Sequence, residues 1–343
     1  MNYRALGKSG IEVSEIGFGC GDNAWLMTDG DAAARHGVVE RALARGITYF
    51  DTANHYGDGR SELNLGATLN GLGARPCVGT KARIPAEALD DLAPALRQLC
   101  EGSLARLGVD SVTAYYIHNR VAPERRFHEG RLTHLSYDDM AGPVIETLVK
   151  LRAEGKTRLI GLCTSGSDPQ CTGKLLDELP FDLIQGEYSM LQPTEVERPD
   201  GSVTEDHGQT FRKAAERGMG IVSYRTLASG ALAQRAGATV RPGGSRGSAA
   251  WTANLERAQA LEALRDAGDE TLAGVAVRFA LSHQPLSCVL LGFSREHYVD
   301  DANRYSDAGP LPATVLARIG ELHRSNFASQ ATLHSTPNTE DQP

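Results

Sequence analysis

The sequence predicts an α/β chain whose eight strand-then-helix units close into a single (β/α)8 TIM barrel, with an N-terminal β-hairpin and long loops at the C-terminal face of the barrel. Three observations carry that expectation. Short apolar runs alternate with longer amphipathic runs, and strands that alternate with helices imply a parallel sheet. The units number eight, which closes a barrel more naturally than it extends an open sheet. The length of 343 residues, with 41% hydrophobic and 23% charged residues, excludes a disordered or membranous chain. A chain of this size buries about 75% of its unfolded surface and needs no disulfide or metal staple.

The elements follow in order. Residues 3–6 and 11–13 form a hairpin around the turn Gly7-Lys8-Ser9-Gly10, and 15–19 is a buried strand bounded by glycines. Asp31 caps a helix that runs through Arg45, a cation in the last turn, and ends at Gly46. A strand at 47–51, a helix at 61–72, a strand at 77–80 and a long helix at 86–107 closed by Gly108 come next. The strand at 111–117 is rich in β-branched and aromatic residues, and a helix from about 139 to 154 stops at Gly155. The second half repeats the rhythm with strands at 157–163, 181–185, 219–224 and 287–291. Its helices are expected at 168–179, 206–217, 249–266, 271–283, 296–305 and 312–326. Residues 1–328 form one domain, and 329–343 form a polar, flexible C-terminal tail. The longest loops, 119–137, 190–205 and 227–248, cover the face where substrates bind.

Charge and cysteine usage narrow the function. The net charge of −8, without a basic block, argues against a nucleic-acid partner, which needs a cationic stripe to displace counterions. No run approaches the roughly 18 apolar residues of a membrane span, and residues 1–10 lack the apolar centre of a signal peptide, so a cytoplasmic protein is expected. The six cysteines are scattered without zinc spacing, so no metal is expected and each reads as a small buried hydrophobe.

In such a barrel the chemistry-bearing residues stand where strands run out into loops. That filter selects Asp51, Lys81 and His118 at the ends of the second, third and fourth strands, with Tyr56 in the loop after Asp51. Taken singly, each has a blander reading: a helix cap, a solvated lysine, a satisfied buried imidazole. Together they form an acid–base set. A phenol with a pKa near 10 gives up its proton poorly unless a cation stabilises the phenolate. Lys81 would supply that cation, Asp51 would hold the ammonium, and a neutral His118 would orient a carbonyl oxygen. The reaction that suits this set is hydride delivery to a carbonyl carbon.

The chain resembles the aldo-keto reductases. The resemblance rests on Tyr3-Arg4-Ala5-Leu6-Gly7-Lys8-Ser9-Gly10, Val13-Ser14-Glu15-Ile16-Gly17-Phe18-Gly19 and Phe50-Asp51-Thr52-Ala53-Asn54-His55-Tyr56-Gly57. Glu62-Leu63 with Leu65-Gly66, Gly79-Thr80-Lys81 and Tyr116-Ile117-His118-Asn119 continue it. Leu151-Arg152-Ala153-Glu154-Gly155-Lys156, Arg158-Leu159-Ile160-Gly161, Gln185-Gly186-Glu187-Tyr188 and Ser223-Tyr224 complete it in family order. What it implies is a nicotinamide cofactor extended across the barrel mouth, with a catalytic tetrad on Asp51, Tyr56, Lys81 and His118. It also implies cofactor contacts from Gln185 to the carboxamide, from Tyr224 to the nicotinamide face, and from Arg225, Leu227, Ser294 and Asn303. Where the family usually shows Ser-Asn after the fifth strand, this chain has Cys163-Thr164-Ser165, so Thr164 or Ser165 takes that polar role.

After the last strand, members that prefer NADP carry two cations for the 2′-phosphate. Here Arg295 stands alone, with Asp300 and Asp301 following, so NADP(H) is favoured only slightly and NAD(H) stays open. The substrate, a small carbonyl compound or sugar, is expected to meet Trp25, His55 and Asn119, with Arg120 nearby. Trp251 and the arginines Arg235, Arg241 and Arg246 either touch cofactor phosphates or are solvated. Two glycine-rich stretches, Gly17-Phe18-Gly19-Cys20-Gly21 and 73–81, read as turn and packing glycines, because neither opens a capped helix with phosphate-loop spacing. The alternatives are a cofactor-binding regulatory or sensor protein with little turnover, and a scaffold that has kept only the barrel.

Overall fold

The computed structural model describes residues 1–199, 205–233, 248–267 and 271–327. Eight parallel strands close a barrel in chain order: β1 (Ile16–Gly19), β2 (Tyr49–Asp51), β3 (Cys77–Ala82), β4 (Val112–Ile117), β5 (Thr157–Cys163), β6 (Leu183–Glu187), β7 (Gly220–Tyr224) and β8 (Cys288–Gly292). Helices between the strands form the outer ring, among them α1 (Ala32–Ala44), α2 (Arg60–Gly71) and α3 (Leu92–Leu107). The hairpin pairs Tyr3–Ala5 with Glu12–Ser14. It buries Leu6, Ile11 and Val13 against Leu183, Val222 and Cys288, which plugs the N-terminal end of the barrel.

Alternation along each strand sorts two cores. Phe18, Phe50, Tyr115, Ile117 and Ile160 pack outward under the helices, while Tyr49, Ala114, Tyr116, Leu159 and Leu183 fill the barrel. Inside, the Tyr49 and Tyr116 hydroxyls share a hydrogen bond of 3.0 Å. Two glycines make room for this pair. A Cβ at Gly79 would lie 2.3 Å from the Tyr49 hydroxyl, and one at Gly161 would lie 2.3 Å from the Tyr116 ring. Glu62 is fully buried, accepts bonds from Thr80 Oγ1 (2.5 Å) and Arg106 Nε (2.7 Å) and ties α2 to β3 and α3.

Several expected boundaries are corrected. The helix expected at 86–107 is a single turn, Ala86–Ala88, followed by α3, because starting at Leu92 places Pro94 in the first turn, where its missing N–H costs nothing. The helix expected at 139–154 starts with a Ser136/Asp139 capping box, widens over Met140–Val144 where Gly142 leaves helical geometry before Pro143, and becomes regular only over Ile145–Ala153. The helix expected from 206 begins at Thr210, since Gly208 and Gln209 both have positive φ. The sixth strand is displaced two residues toward the C-terminus of its expected 181–185.

The loop 119–137 is a three-stranded sheet, Arg120–Ala122, Arg126–His128 and Arg131–Ser136, turned at Glu129-Gly130 with both φ positive. Within 227–248 a turn forms over Ala228–Ala233, and Arg235, Arg241 and Arg246 lie outside the described residues, as do 200–204 and the expected tail. Trp251 is buried in the helix Ala249–Leu261 and does not line the cavity described below. All six cysteines are free thiols, five of them buried.

Candidate active site

The side-chain alternation that sends Tyr49 into the barrel sends Asp51 there too, one layer higher. The same parity carries Lys81 above Gly79, Cys163 above Gly161 and Gln185 above Leu183. The parallel register sets Gly19 beside Asp51, Lys81 beside Tyr116 and Cys163 beside Gln185, so one polar layer closes the C-terminal end of the interior. Lys81 Nζ donates to Asp51 Oδ1 and to the Thr52 carbonyl (2.8 Å), and Gln185 Nε2 donates to Asp51 Oδ2 at 2.9 Å. The Gln185 oxygen accepts from the Cys163 thiol at 3.6 Å.

Above this layer sits Tyr56, with Lys81 Nζ 5.3 Å from its ring centroid. His118 meets the Tyr56 ring edge-on at 5.8 Å, and His55 touches both rings, at 4.8 Å from Tyr56 and 4.6 Å from His118. Asp22 accepts from the Gly57 backbone N–H at 3.0 Å and so fixes the loop that carries Tyr56.

The electrostatics follow from burial. Burial opposes the Lys81 ammonium, but the adjacent Asp51 carboxylate outweighs it and the lysine keeps its proton. Burial pushes the Tyr56 phenol up to about 12, and Lys81 offsets only part of that rise. Lys81 acts in the expected sense, favouring the phenolate, and the resting site holds a phenol, a proton donor. Burial, with Lys81 next in effect, holds the His118 imidazole well below its ordinary range. Burial and Arg83 lower His55 to about 4, so both rings are neutral near pH 7.

A cavity of about 2080 Å³ opens on this layer and runs along the C-terminal face. Thirteen of the sixteen candidate site residues line it: Asp51, Tyr56, His118, Ser165, Gln185, Tyr224, Arg225, Leu227, Ser294, Arg295, Trp25, His55 and Asn119. Three do not. Lys81 lies beneath Asp51 and Tyr56, at 2% exposure. Thr164 turns away to Glu195 Oε1 (2.8 Å), and Asn303 bonds Asp307 on the outer side of its helix (2.9 Å). Asn119 lines the cavity, yet its amide is committed to Ile84, accepting from its N–H (2.8 Å) and donating to its carbonyl (2.9 Å), which staples the loops after β3 and β4. Trp25, Arg225 and Ser229 line the cavity with positive φ, a sparsely populated conformation for residues other than glycine.

The two carboxylates expected beside Arg295 separate. Asp300 is bound by Arg41 (2.9 Å) and Arg45 (2.7 Å) on the outside, and only Asp301 faces the cavity. Sequence reasoning missed three contributors. Arg83 follows Lys81 by two residues, and Glu187, which pairs with Arg225 at 2.8 Å, ends β6; both satisfy the strand-end filter once the strand is drawn correctly. Glu195 carried no signal. It is fully buried behind the cavity wall and accepts from Thr164, Thr210 and Ser165 Oγ (3.0 Å).

A closed parallel barrel with its polar layer and large cavity at the C-terminal strand ends is the architecture of barrel enzymes. The model of the aldo/keto reductase family matches residues 15–324, and the chain belongs to that family of oxidoreductases. It is 27% identical to an L-galactose dehydrogenase of Arabidopsis thaliana, over 88% of this chain and 86% of that one. With a D-threo-aldose 1-dehydrogenase of a Pseudomonas species it shares 29% identity, over 92% of this chain and 96% of the relative. An aldo-keto reductase of Bacillus halodurans in its holo form superposes with a TM-score of 0.71 at 22% identity, covering 96% of this chain and 99% of that one. An aldo-keto reductase of Klebsiella pneumoniae in complex with NADPH does so at 0.66 and 17%, covering 94% and 96%. Among the described residues no helix is long and apolar enough to cross a membrane.

Proposed function

We propose that this enzyme transfers a hydride between a nicotinamide cofactor and the carbonyl or alcohol carbon of a small aldehyde, ketone or sugar, with Tyr56 as general acid–base. The observation that carries the reading is the meeting, at one mouth, of a protonated Tyr56, a buried ammonium 5.3 Å from its ring and a neutral His118. A bound nicotinamide would supply or accept the hydride. The chain does the rest.

In the reductive direction, His118 and the Tyr56 hydroxyl hold the carbonyl oxygen. As the carbonyl carbon gains hydride, the π pair moves onto that oxygen, which takes the Tyr56 proton. The phenolate left behind faces Lys81, whose charge stabilises it, and Asp51 keeps that ammonium in place by their hydrogen bond. In the oxidative direction the same phenolate removes the hydroxyl proton.

The cavity lining fits an extended dinucleotide. Ser165 Oγ already donates to Glu195 and accepts from the Glu187 N–H (2.5 Å), and Gln185 gives one of its two Nε2 N–H groups to Asp51. Gln185 keeps a second N–H and an oxygen lone pair, and Ser165 Oγ a lone pair, which suits the C=O and NH₂ of a carboxamide. The Tyr224 ring lies beside them. Buried Thr226 Oγ1 lacks a partner among the described residues. Farther along, Ser294 and Arg295 stand at the N-terminus of the helix Glu296–Ala308, where free backbone N–H groups favour a phosphate. The Klebsiella relative in complex with NADPH supports the same reading. The test is oxidation of NADPH and of NADH by the purified enzyme with a panel of small aldehydes and, in reverse, reduction of NADP and NAD with sugars. Binding of either cofactor without turnover in both directions would refute it in favour of a sensor.

A further inference from the structure

We propose that His55 is a second hydrogen-bond donor to the substrate, and that the substrate is a carbonyl compound carrying an oxygen on the neighbouring carbon, an α-hydroxy or α-keto carbonyl. This rests on the reading above, in which Tyr56 and His118 hold the carbonyl oxygen.

The geometry points to it in three steps. First, His55 lies in the same polar cluster as the acid–base residues. Its ring centroid is 4.6 Å from that of His118 and 4.8 Å from that of Tyr56, and all three side chains line one cavity. Second, the two imidazoles show the protein the same atom. Nδ1 of His55 and Nδ1 of His118 are both closed off from the cavity and lack a partner among the described residues. A buried, unpaired N–H is rarer in proteins than a buried, unpaired acceptor, so the proton of each neutral ring belongs on Nε2. Neither Nε2 is bonded to a described residue, and the cavity is the direction left open to both. Third, their surroundings hold both rings neutral: each is buried, and the charges of Lys81 and Arg83 act on both in the same sense.

The result is two neutral N–H donors side by side, one more than a lone carbonyl oxygen beside Tyr56 requires. Rings in contact at this separation carry their donors close enough for oxygens on adjacent carbons. The carbonyl oxygen takes His118 and Tyr56, and the oxygen next to it takes His55. That second bond also fixes the torsion between the two oxygens and so presents one face of the carbonyl. A ring that served only as packing between Tyr56 and His118 would show no preference for such substrates.

The experiment compares three aldehydes of equal chain length: 2-hydroxypropanal, propanal and 3-hydroxypropanal. A site built to bond a substrate oxygen discriminates strongly against the analogue that lacks it. The wild-type enzyme is expected to favour 2-hydroxypropanal over both others by at least about tenfold in kcat/KM. His55→Phe keeps an aromatic ring in place but has no N–H, and the ratio of 2-hydroxypropanal to propanal should fall to near one, whatever the absolute rates. His55→Gln restores an N–H donor and should recover part of the ratio, and thermal melting of each variant reports its folding. An even wild-type ratio, or a ratio unchanged in His55→Phe, overturns the proposal while leaving the Tyr56 reading intact, provided that propanal turnover still depends on Tyr56. Absence of cofactor-linked turnover with all three aldehydes overturns both.

Discussion

Replacing Lys81 with methionine separates two jobs that the ammonium performs. Lys81 Nζ stands 5.3 Å from the Tyr56 ring centroid. At an effective permittivity of about 20, a unit charge at that separation is worth about 3 kcal/mol to a phenolate, or about two pKa units. Burial has already carried the phenol up to about 12, so the variant's Tyr56 becomes a still weaker acid. If about half of that penalty is felt in the transition state, kcat/KM falls about tenfold, and to about a hundredfold if the oxygen also loses its alignment. The second job is structural. Without Lys81, buried Asp51 keeps a single side-chain donor, Gln185 Nε2 at 2.9 Å. Breaking a buried ion pair on one side costs about 3–5 kcal/mol, whereas replacing both partners by apolar residues is close to neutral. The assay is urea denaturation beside steady-state kinetics for Lys81→Met and for the double variant Asp51→Leu, Lys81→Met. The double variant should regain stability and stay slow. A single variant within twofold of the wild-type rate would refute the action of Lys81 on Tyr56. A double variant as unstable as the single one would refute the argument for the pair.

Other outcomes follow from the same structure. Burial leads the lowering of His55, His118 and His283. Each folded pKa lies below the unfolded value near 6.5, so the unfolded chain takes up protons first, and stability is lost as pH falls from about 6.5 toward about 4. His207 runs the other way: burial opposes its charge, but Glu205 and Glu195 outweigh burial, so its contribution is present below about 6.5 and fades as pH rises. Melting temperatures between pH 7 and 4.5 should therefore drop on acidification, with a smaller drop in His283→Phe; an equal drop would contradict the assignment. Gly161→Ala, whose Cβ would lie 2.3 Å from the Tyr116 ring, should lose about 1–3 kcal/mol in urea denaturation, and Tyr116→Leu in the same chain should return part of it. Arg295→Ala should weaken NADPH binding relative to NADH by about tenfold in fluorescence titration, and an unchanged ratio would remove Arg295 from 2′-phosphate recognition.

Much of this site was legible in the sequence because a barrel strand has a period of two and ends at a loop. Once Tyr49 is inside, Asp51 must be inside and nearer the mouth, and the same parity places Lys81, Gln185 and Tyr224. The strand-end filter added His118, and Tyr56 in the loop after Asp51, while the roles of Gln185 and Tyr224 came from the resemblance. What escaped depends on contacts between segments remote in the chain. Thr164 and Ser165 look equivalent in sequence, but Glu195, about thirty residues on, draws the first behind the wall and leaves the second at the cavity. Asp300 and Asp301 look alike beside Arg295, until Arg41 on α1 and Arg45 just past its end claim the first. Sequence reports the Lys81 charge beside Tyr56 and not the burial that competes with it. The small sheet after β4 was missed because two of its strands are three residues long, too short to show a period.

The most direct test of the account follows a labelled hydride. Wild-type enzyme is mixed with a cofactor reduced with deuterium at the nicotinamide C4, and with an aldehyde, and the alcohol formed is read by NMR for deuterium on the former carbonyl carbon. The account predicts transfer to that carbon in the wild type. It predicts a loss of at least about a thousandfold in rate for Tyr56→Phe, with cofactor binding within about threefold of wild type. Transfer at an undiminished rate in Tyr56→Phe, or alcohol formed without the label, would contradict it.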